Sequence, residues 1–258
     1  MRYPSSQKGF TLIELSIVLV IIGLISGGIL FGRDLIKTAE RRALMRDIEN
    51  YRTAMQTFKL KYGYMPGDIP NATQIWGEKP GANCDNQVAS EGLETCNGDD
   101  NGQLTYVPPT LGNSEGWCIW QHLSNAELID GSYTCSGYSS PTFGSGEGNS
   151  DYLARFYAGY QPGTDFFPTY NMIGRNLLVV RGQGLNYPAL RAATTYYVDS
   201  KEDDGFPFMG SVQTVNYLAF PPVHHVRFEN CTTGSDTEAR YNIQNQEVNC
   251  TLGTNSGM

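Results

Sequence analysis

Three sets of residues in this chain have types and spacings that could do chemistry. The first is acidic. In "DSKEDDGFP", Asp199, Glu202, Asp203 and Asp204 fall close together just before a Gly-Phe-Pro turn. Hard carboxylate oxygens crowded at a turn are ligands for calcium, so Asp199, Asp203 and Asp204 form a candidate calcium site. The stretch lacks the EF-hand spacing, and a solvated helix end followed by a turn is the alternative. A second stretch, "NGDDNGQLTY", opens like an EF-hand loop with Asn97, Asp99, Asn101 and Gly102. Its twelfth position is Pro108, which removes the bidentate glutamate, so it reads as a turn.

The second set is the six cysteines, Cys84, Cys96, Cys118, Cys135, Cys231 and Cys250. An even number fits disulfides in an oxidising compartment. Fifteen pairings exist, and chain neighbours are the economical choice: Cys84 with Cys96, Cys118 with Cys135, Cys231 with Cys250. Each would close a loop of about 10–20 residues and stabilise by about 2–4 kcal/mol. Zinc is disfavoured, because no CxxC occurs and the histidines have no ligand spacing. The third set is those histidines, His122, His224 and His225. His122 reads as a partly exposed helix residue. His224 and His225 follow Pro221-Pro222 and alternate faces if extended, which suits neither a dyad nor joint ligation. With no GxSxG, HExxH or P-loop pattern, the chain is not expected to be an enzyme.

Charge narrows the partners. A formal net charge of -8 disfavours general nucleic-acid binding, which needs a clustered basic surface. Sixteen tyrosines and three tryptophans could line a glycan-binding patch, but in a glycine-rich domain they more often fill a core.

One further carboxylate stands apart. Glu14 is the only ionisable side chain between Phe10 and Gly32, inside "KGFTLIELSIVLVIIGLISGG". As a helix this span would run about 34 Å at 1.5 Å per residue, enough to cross a bilayer core of about 30 Å. It is too long for an ordinary secretory signal, and the next stretch, "FGRDLIKTAERRALMRDIENY", continues a helical pattern where a cleavage site would be. Intramembrane carboxylates usually have a partner.

Lys8-Gly9-Phe10-Thr11-Leu12-Ile13-Glu14, behind a short polar leader and ahead of an apolar helix, resembles the cleavage and methylation signature of type IV prepilins and type II secretion pseudopilins. The resemblance implies that a prepilin peptidase cuts after Gly9 and N-methylates Phe10, and that Glu14 serves subunit assembly. It also implies a structural subunit, not an enzyme, held first in the bacterial inner membrane and then built into a type IV pilus or a pseudopilus. Its partners would be prepilin peptidase, other subunits, an inner-membrane assembly platform and membrane lipid. A filament-displayed adhesin or glycan-binding module is the competing class, and a membrane-anchored periplasmic enzyme the outsider. No cofactor is required; some pseudopilins use calcium to hold a head loop.

The resemblance has a physical basis. Cleavage at Gly9 creates an α-amine at Phe10, and amine and carboxylate then sit at one end of an apolar helix. Glu14 can pair with its own amine, since i and i+4 share a helix face, or with a neighbouring subunit's. The second arrangement is preferred, because it cancels two unfavourable charges only in the correct axial register. Cleavage also removes Arg2 and Lys8, taking the formal charge from -8 to -10. Six basic residues against four acidic ones between Arg33 and Arg52 would by themselves place that side in the cytoplasm. The leader motif and the exported-type cysteines instead put the N-terminus in the cytoplasm and the head in the periplasm.

These residues need elements to carry them. Leu35, Ala39, Leu44, Ile48, Tyr51, Met55, Phe58 and Tyr62 recur at helical steps, continuing the apolar span as an amphipathic helix. Gly63, Pro66, Gly67 and Pro70 end it. "SEGWCIWQHLSNAELIDGSY" predicts a helix opened by Ser114, with Trp117, Trp120, Leu123 and Leu128 in the core. "RNLLVVRG", "SVQTVNYLAF" and "HHVRFEN" predict strands, and "NYPALRAATTYYVDSKEDDG" a helix with Pro188 in its first turn and Gly205 past its end. A loop-rich insertion runs from about Pro70 to Pro109. The expected organisation is a leader at 1–9, a transmembrane or filament-core helix at 10–32, its amphipathic continuation at 33–62 and a globular head at 63–258. The fold class is α+β and pilin-like: a long N-terminal helix packed on a loop-rich, disulfide-stabilised head with an antiparallel sheet. So large a head favours a minor or tip subunit.

Overall fold

The computed structural model describes residues 9–78, 93–105, 115–135, 139–143, 154–160, 175–182, 189–214, 231–234, 238–245 and 248–256. The chain divides into two compact units, 1–43 and 44–258. One helix, α1 (Leu12–Tyr62), contributes to both.

In the first unit the leucines and isoleucines of α1 are exposed, from Leu12 at 87% to Ile36 at 60%. The helix is unbroken at Gly23, Gly27, Gly28 and Gly32, although each weakens helix propensity by about 1 kcal/mol relative to alanine. A Cβ added at any of these four would meet nothing within 4 Å, so no packing among the described residues requires glycine there. Leu35 and Ala39, expected on the apolar stripe, are exposed; the buried stripe begins at Leu44.

In the second unit Leu44, Ile48, Met55 and Phe58 are fully buried at helical steps. α1 ends where Gly63 adopts φ +81° and donates its N–H to the Lys59 carbonyl at 2.9 Å. Two short helices follow, α2 (Ala72–Trp76) and α3 (Glu115–Asn125). α3 lies inside the predicted helix, with Trp117, Trp120 and Leu123 buried as expected and Leu128 beyond its end and half-buried.

Among the described residues seven strands complete the unit: β1 (Thr142–Phe143), β2 (Ala154–Tyr160), β3 (Asn176–Arg181), β4 (Leu190–Arg191), β5 (Val212–Thr214), β6 (Val248–Cys250) and β7 (Leu252–Asn255). Five form an antiparallel sheet in the order β1-β2-β3-β7-β5, and β4 pairs with β6 apart from it. β3 is central, which explains the continuous apolar run Leu177-Leu178-Val179-Val180, buried throughout. Tyr51 of α1 meets the sheet edge-on, its ring 4.7 Å from Phe156 of β2 and 5.1 Å from Trp120 of α3. Arg52 fixes the same turn of α1 by bonding the Asn255 carbonyl and the Thr254 hydroxyl of β7, and pairs at 2.8 Å with Glu202.

The remaining helix, α4 (Ala192–Glu202), starts later than predicted. Leu190 and Arg191 pair with β6 as strand residues, and that pairing holds the backbone extended up to Arg191. Of "SVQTVNYLAF" only Val212–Thr214 is described as strand. "HHVRFEN", with His224 and His225, and Pro188 and Cys84 lie outside the described residues.

Candidate functional site

At the N-terminal end, Gly9 and Phe10 precede the helix in irregular backbone, and Phe10 is 90% exposed. A peptide bond in that setting is open to a peptidase. Thr11 caps the helix and Glu14 reaches back to it. The Glu14 Oε2 accepts from the Thr11 N–H at 2.8 Å and from its hydroxyl at 2.7 Å, while the Glu14 N–H donates to the Thr11 hydroxyl at 3.3 Å. This reciprocal arrangement is a capping box, which satisfies two amides that the helix start would otherwise leave without a partner. Within a lone chain, then, Glu14 has a partner. The Thr-x-x-Glu spacing was the signal for it, and Thr11 is a residue that the sequence pattern could have singled out and did not. Beyond it, α1 is long and apolar enough to cross a membrane, with a best-window mean hydropathy of 2.5.

In the head, Asp199, Asp203 and Asp204 come together with carboxylate oxygens within 4.8 Å of one another. Asp199, fully buried, accepts from the Gly205 N–H at 3.0 Å and from the Tyr241 hydroxyl at 2.8 Å. Burial pushes its carboxyl up to about 7, against those two hydrogen bonds and with help from the neighbouring acids. Asp203 accepts from the Ser211 and Val212 amides, and Asp204 from the Phe206 amide at 2.8 Å. Gly210 has φ +71° and its position is pressed against the Asp203 carboxylate, so a side chain there would collide with it. Glu202 points away from the trio into its ion pair with Arg52.

The stretch read as a plain turn supplies a second trio. Asp99 lies with Asp68 and Glu115, again with oxygens within 4.8 Å. The Glu115 carboxylate, from the first turn of α3, takes the Asp99 and Thr105 amides at 3.0 Å each. Asp68 takes the Asn101 and Gly102 amides at 3.3 and 2.9 Å. Burial raises both carboxyls, that of Glu115 to about 7, where the neighbouring charges of Asp68 and Asp99 add to the effect and the amide hydrogen bonds oppose it. The acid that Pro108 could not provide thus arrives from Glu115, sixteen residues past Asp99. Neither Asp68 nor Glu115 stood within the loop pattern, so spacing alone could not find them.

His122 corrects its expectation, being fully buried where partial exposure was predicted. Its Nδ1 accepts the Gly67 N–H at 2.9 Å, which leaves Nε2–H to donate to the Thr95 hydroxyl at 2.8 Å. Burial lowers its pKa to about 3, so the ring is a neutral structural bridge. It stacks on Trp76 of α2 and on Phe58 of α1, with centroids 5.5 and 6.2 Å away. Gly67 sits at φ +97°, and a Cβ there would lie 2.6 Å from the Glu115 carbonyl. Cys118 is bonded to Cys135 and Cys231 to Cys250, two of the expected neighbour pairs. Cys96 packs against the first of these bridges and is not free.

Residues 4–30 match the family model described as a prokaryotic N-terminal methylation motif, the prepilin-type signal. No curated protein and no solved structure matches the chain.

Proposed function

We propose that this chain is a pilin-like structural subunit. A prepilin peptidase cuts it between Gly9 and Phe10 on the cytoplasmic side of a bacterial inner membrane and methylates the new Phe10 amine. The apolar part of α1 holds it in lipid as a single pass with the head in the periplasm, and then packs against the same segment of other subunits in a filament. The observation that carries this reading is the methylation motif at 4–30 on a helix whose leucines and isoleucines are exposed along the first unit. Lipid or a filament core is the solvent such a surface requires.

Glu14 then has two successive partners. Before assembly the capping box with Thr11 satisfies it. On assembly the methylated amine of an adjacent copy takes over, an opposite charge in place of a neutral donor, and only a neighbour in register can supply it. The filament is a type IV pilus or a type II secretion pseudopilus. Calcium is the cation that the hard oxygens of Asp199, Asp203 and Asp204 would hold, bracing the turn after α4.

Mass spectrometry of the N-terminal peptide from the native cell tests processing. The expected product starts at an N-methylated Phe10. A retained Met1, or a start beyond Gly32, overturns the reading. Glu14→Leu is expected to be processed normally but lost from filaments; unchanged assembly of that variant removes Glu14 from the mechanism.

A further inference from the structure

Asp47, Asn50, Ala54 and Thr57 of α1 recur at steps of three and four residues and line one wall of a groove of about 490 Å³. The segment after α3 forms the other wall, with Glu127 and Asp130 on it. Among the described residues, every charged side chain lining the groove is therefore an acid. Among the described residues none of the three has a cation at ion-pair distance. Asp47 is half-buried, and its carboxyl is pushed up by that burial, with Arg46 acting against it. Three carboxylates around one groove, without counter-ions among the described residues, leave a demand for positive charge that these walls do not meet.

The chain carries that charge on the same helix. Arg42 and Arg46 are both exposed and are four residues apart, so they share a helix face. We propose that this groove is the seat of the α1 helix of an adjacent, parallel copy, with the neighbour's Arg42 and Arg46 set against Asp47, Glu127 and Asp130. The register follows from the proposed assembly contact, on which this inference rests. A neighbour whose Phe10 amine lies level with Glu14 is displaced by four residues, about 6 Å along a helix. The same displacement sets its Arg42 level with residue 46 and its Arg46 level with Asn50, at the mouth of the groove. One axial offset thus satisfies two charge pairs far apart in sequence, whereas a slip of one turn would take the Phe10 amine away from Glu14. Rim charges of this kind select the partner and its register more than they add affinity.

The test is a charge swap in the full-length chain in its native cell. Glu127→Lys with Asp130→Lys, and separately Arg42→Glu with Arg46→Glu, are each expected to lower the assembled fraction at least about tenfold, the scale of close interfacial charge pairs. All four together are expected to restore it, because the attraction is then reversed in sign and not lost. Thermal melts of each variant show that the head is folded. A photo-crosslinking residue at Asn50 should yield a dimer of this chain, with the adduct mapped near the neighbour's residues 42–46. Unchanged assembly in the reversed variants, no restoration in the swap, or a crosslink to a different protein or to another part of this one overturns the proposal. If the chain is processed at Phe10 and assembles while the reversals are silent, this inference fails alone. If it is neither processed nor assembled, the functional reading fails and takes the inference with it.

Discussion

The two units use one helix in opposite ways. In residues 44–62, Leu44, Ile48, Met55 and Phe58 are fully buried by their own chain; in residues 12–43, Ile17, Leu24 and Phe31 are more than half exposed. The second stretch of helix, in the head, folds by removing apolar area from water, and polar residues remain on its other face. The first is apolar all round as far as Gly32 and leaves that surface uncovered in its own unit. Acids differ in the same sense. Glu14 is answered by donors three residues away, which a helix start always has to offer. Asp199 is answered by Tyr241 across the fold, which only a finished tertiary structure can provide. Stability should accordingly reside in the second unit, and the demand for lipid or neighbouring helices in the first.

The sharpest way to break that division is to damage each unit and measure both properties. Trp120 is 1% exposed and seated against Tyr51. Trp120→Ala should cost about 3–5 kcal/mol in urea unfolding of the detergent-solubilised chain. Ile17→Ala should leave head unfolding within about 0.5 kcal/mol of the parent. Comparable losses from both would erase the distinction. Next in size is the Cys231–Cys250 bridge, which ties the segment at Cys231 to β6. Replacing both cysteines by serine should lower stability by about 2–4 kcal/mol, chiefly by freeing the unfolded chain. A denaturation midpoint indifferent to this replacement would mean that the bridge constrains nothing.

A smaller effect separates the two kinds of acid by pH. Asp199 has its carboxyl raised from an ordinary value of 3.8 to about 7. A raised acid binds its proton more tightly folded than unfolded, so its contribution is fully present below about 3.8 and is lost as pH rises through about 7. Asp199→Asn keeps a neutral group on Tyr241, whose hydroxyl can turn to accept from the amide. The variant should match the parent near pH 4 and exceed it by at least about 1 kcal/mol near pH 8. Repeating the melts with millimolar calcium tests the proposed cation as well: if it binds the trio, the parent gains at high pH and the variant gains less. A gap independent of pH would mean that Asp199 is ionised throughout.

How far the sequence foretold this structure depended on how local each cause was. The long helix and its stop were legible, because apolar spacing and the Gly63–Pro66 break act within a few residues. β3 was legible as a short apolar run between polar ends. β2, "ARFYAGY", was not, since its alanines and glycine carry little strand preference; it is a strand because each residue from Arg155 to Tyr160 finds a register partner on β3. β7, "LGTN", is polar and glycine-containing, and it pairs between β3 and β5 only in the folded state. His122 looked ordinary, for the Gly67 amide and Thr95 hydroxyl that bury it come from segments 55 and 27 residues away. The acid trios divide likewise. Asp199, Asp203 and Asp204 are sequence neighbours, whereas Asp68 and Glu115 reach Asp99 from the chain past α1 and from α3.

The smallest expected effect concerns the start of α1. Thr11→Val keeps the volume and removes the hydroxyl, so Glu14 loses one of its two donors and its own amide loses an acceptor. The helix start should fray, and hydrogen exchange at the Leu12 to Leu15 amides in detergent should quicken while the head's melting temperature stays put. Cleavage at Gly9 does not use the hydroxyl and should continue. The effect on assembly carries the most information. If the capping box holds Glu14 until a neighbour's amine displaces it, loosening the box should leave filaments able to form, because the final partner is a charge and the lost one a neutral group. A filament defect as deep as that of Glu14→Leu would instead make Thr11 part of the assembled contact, and the two partners of Glu14 would act together and not in turn.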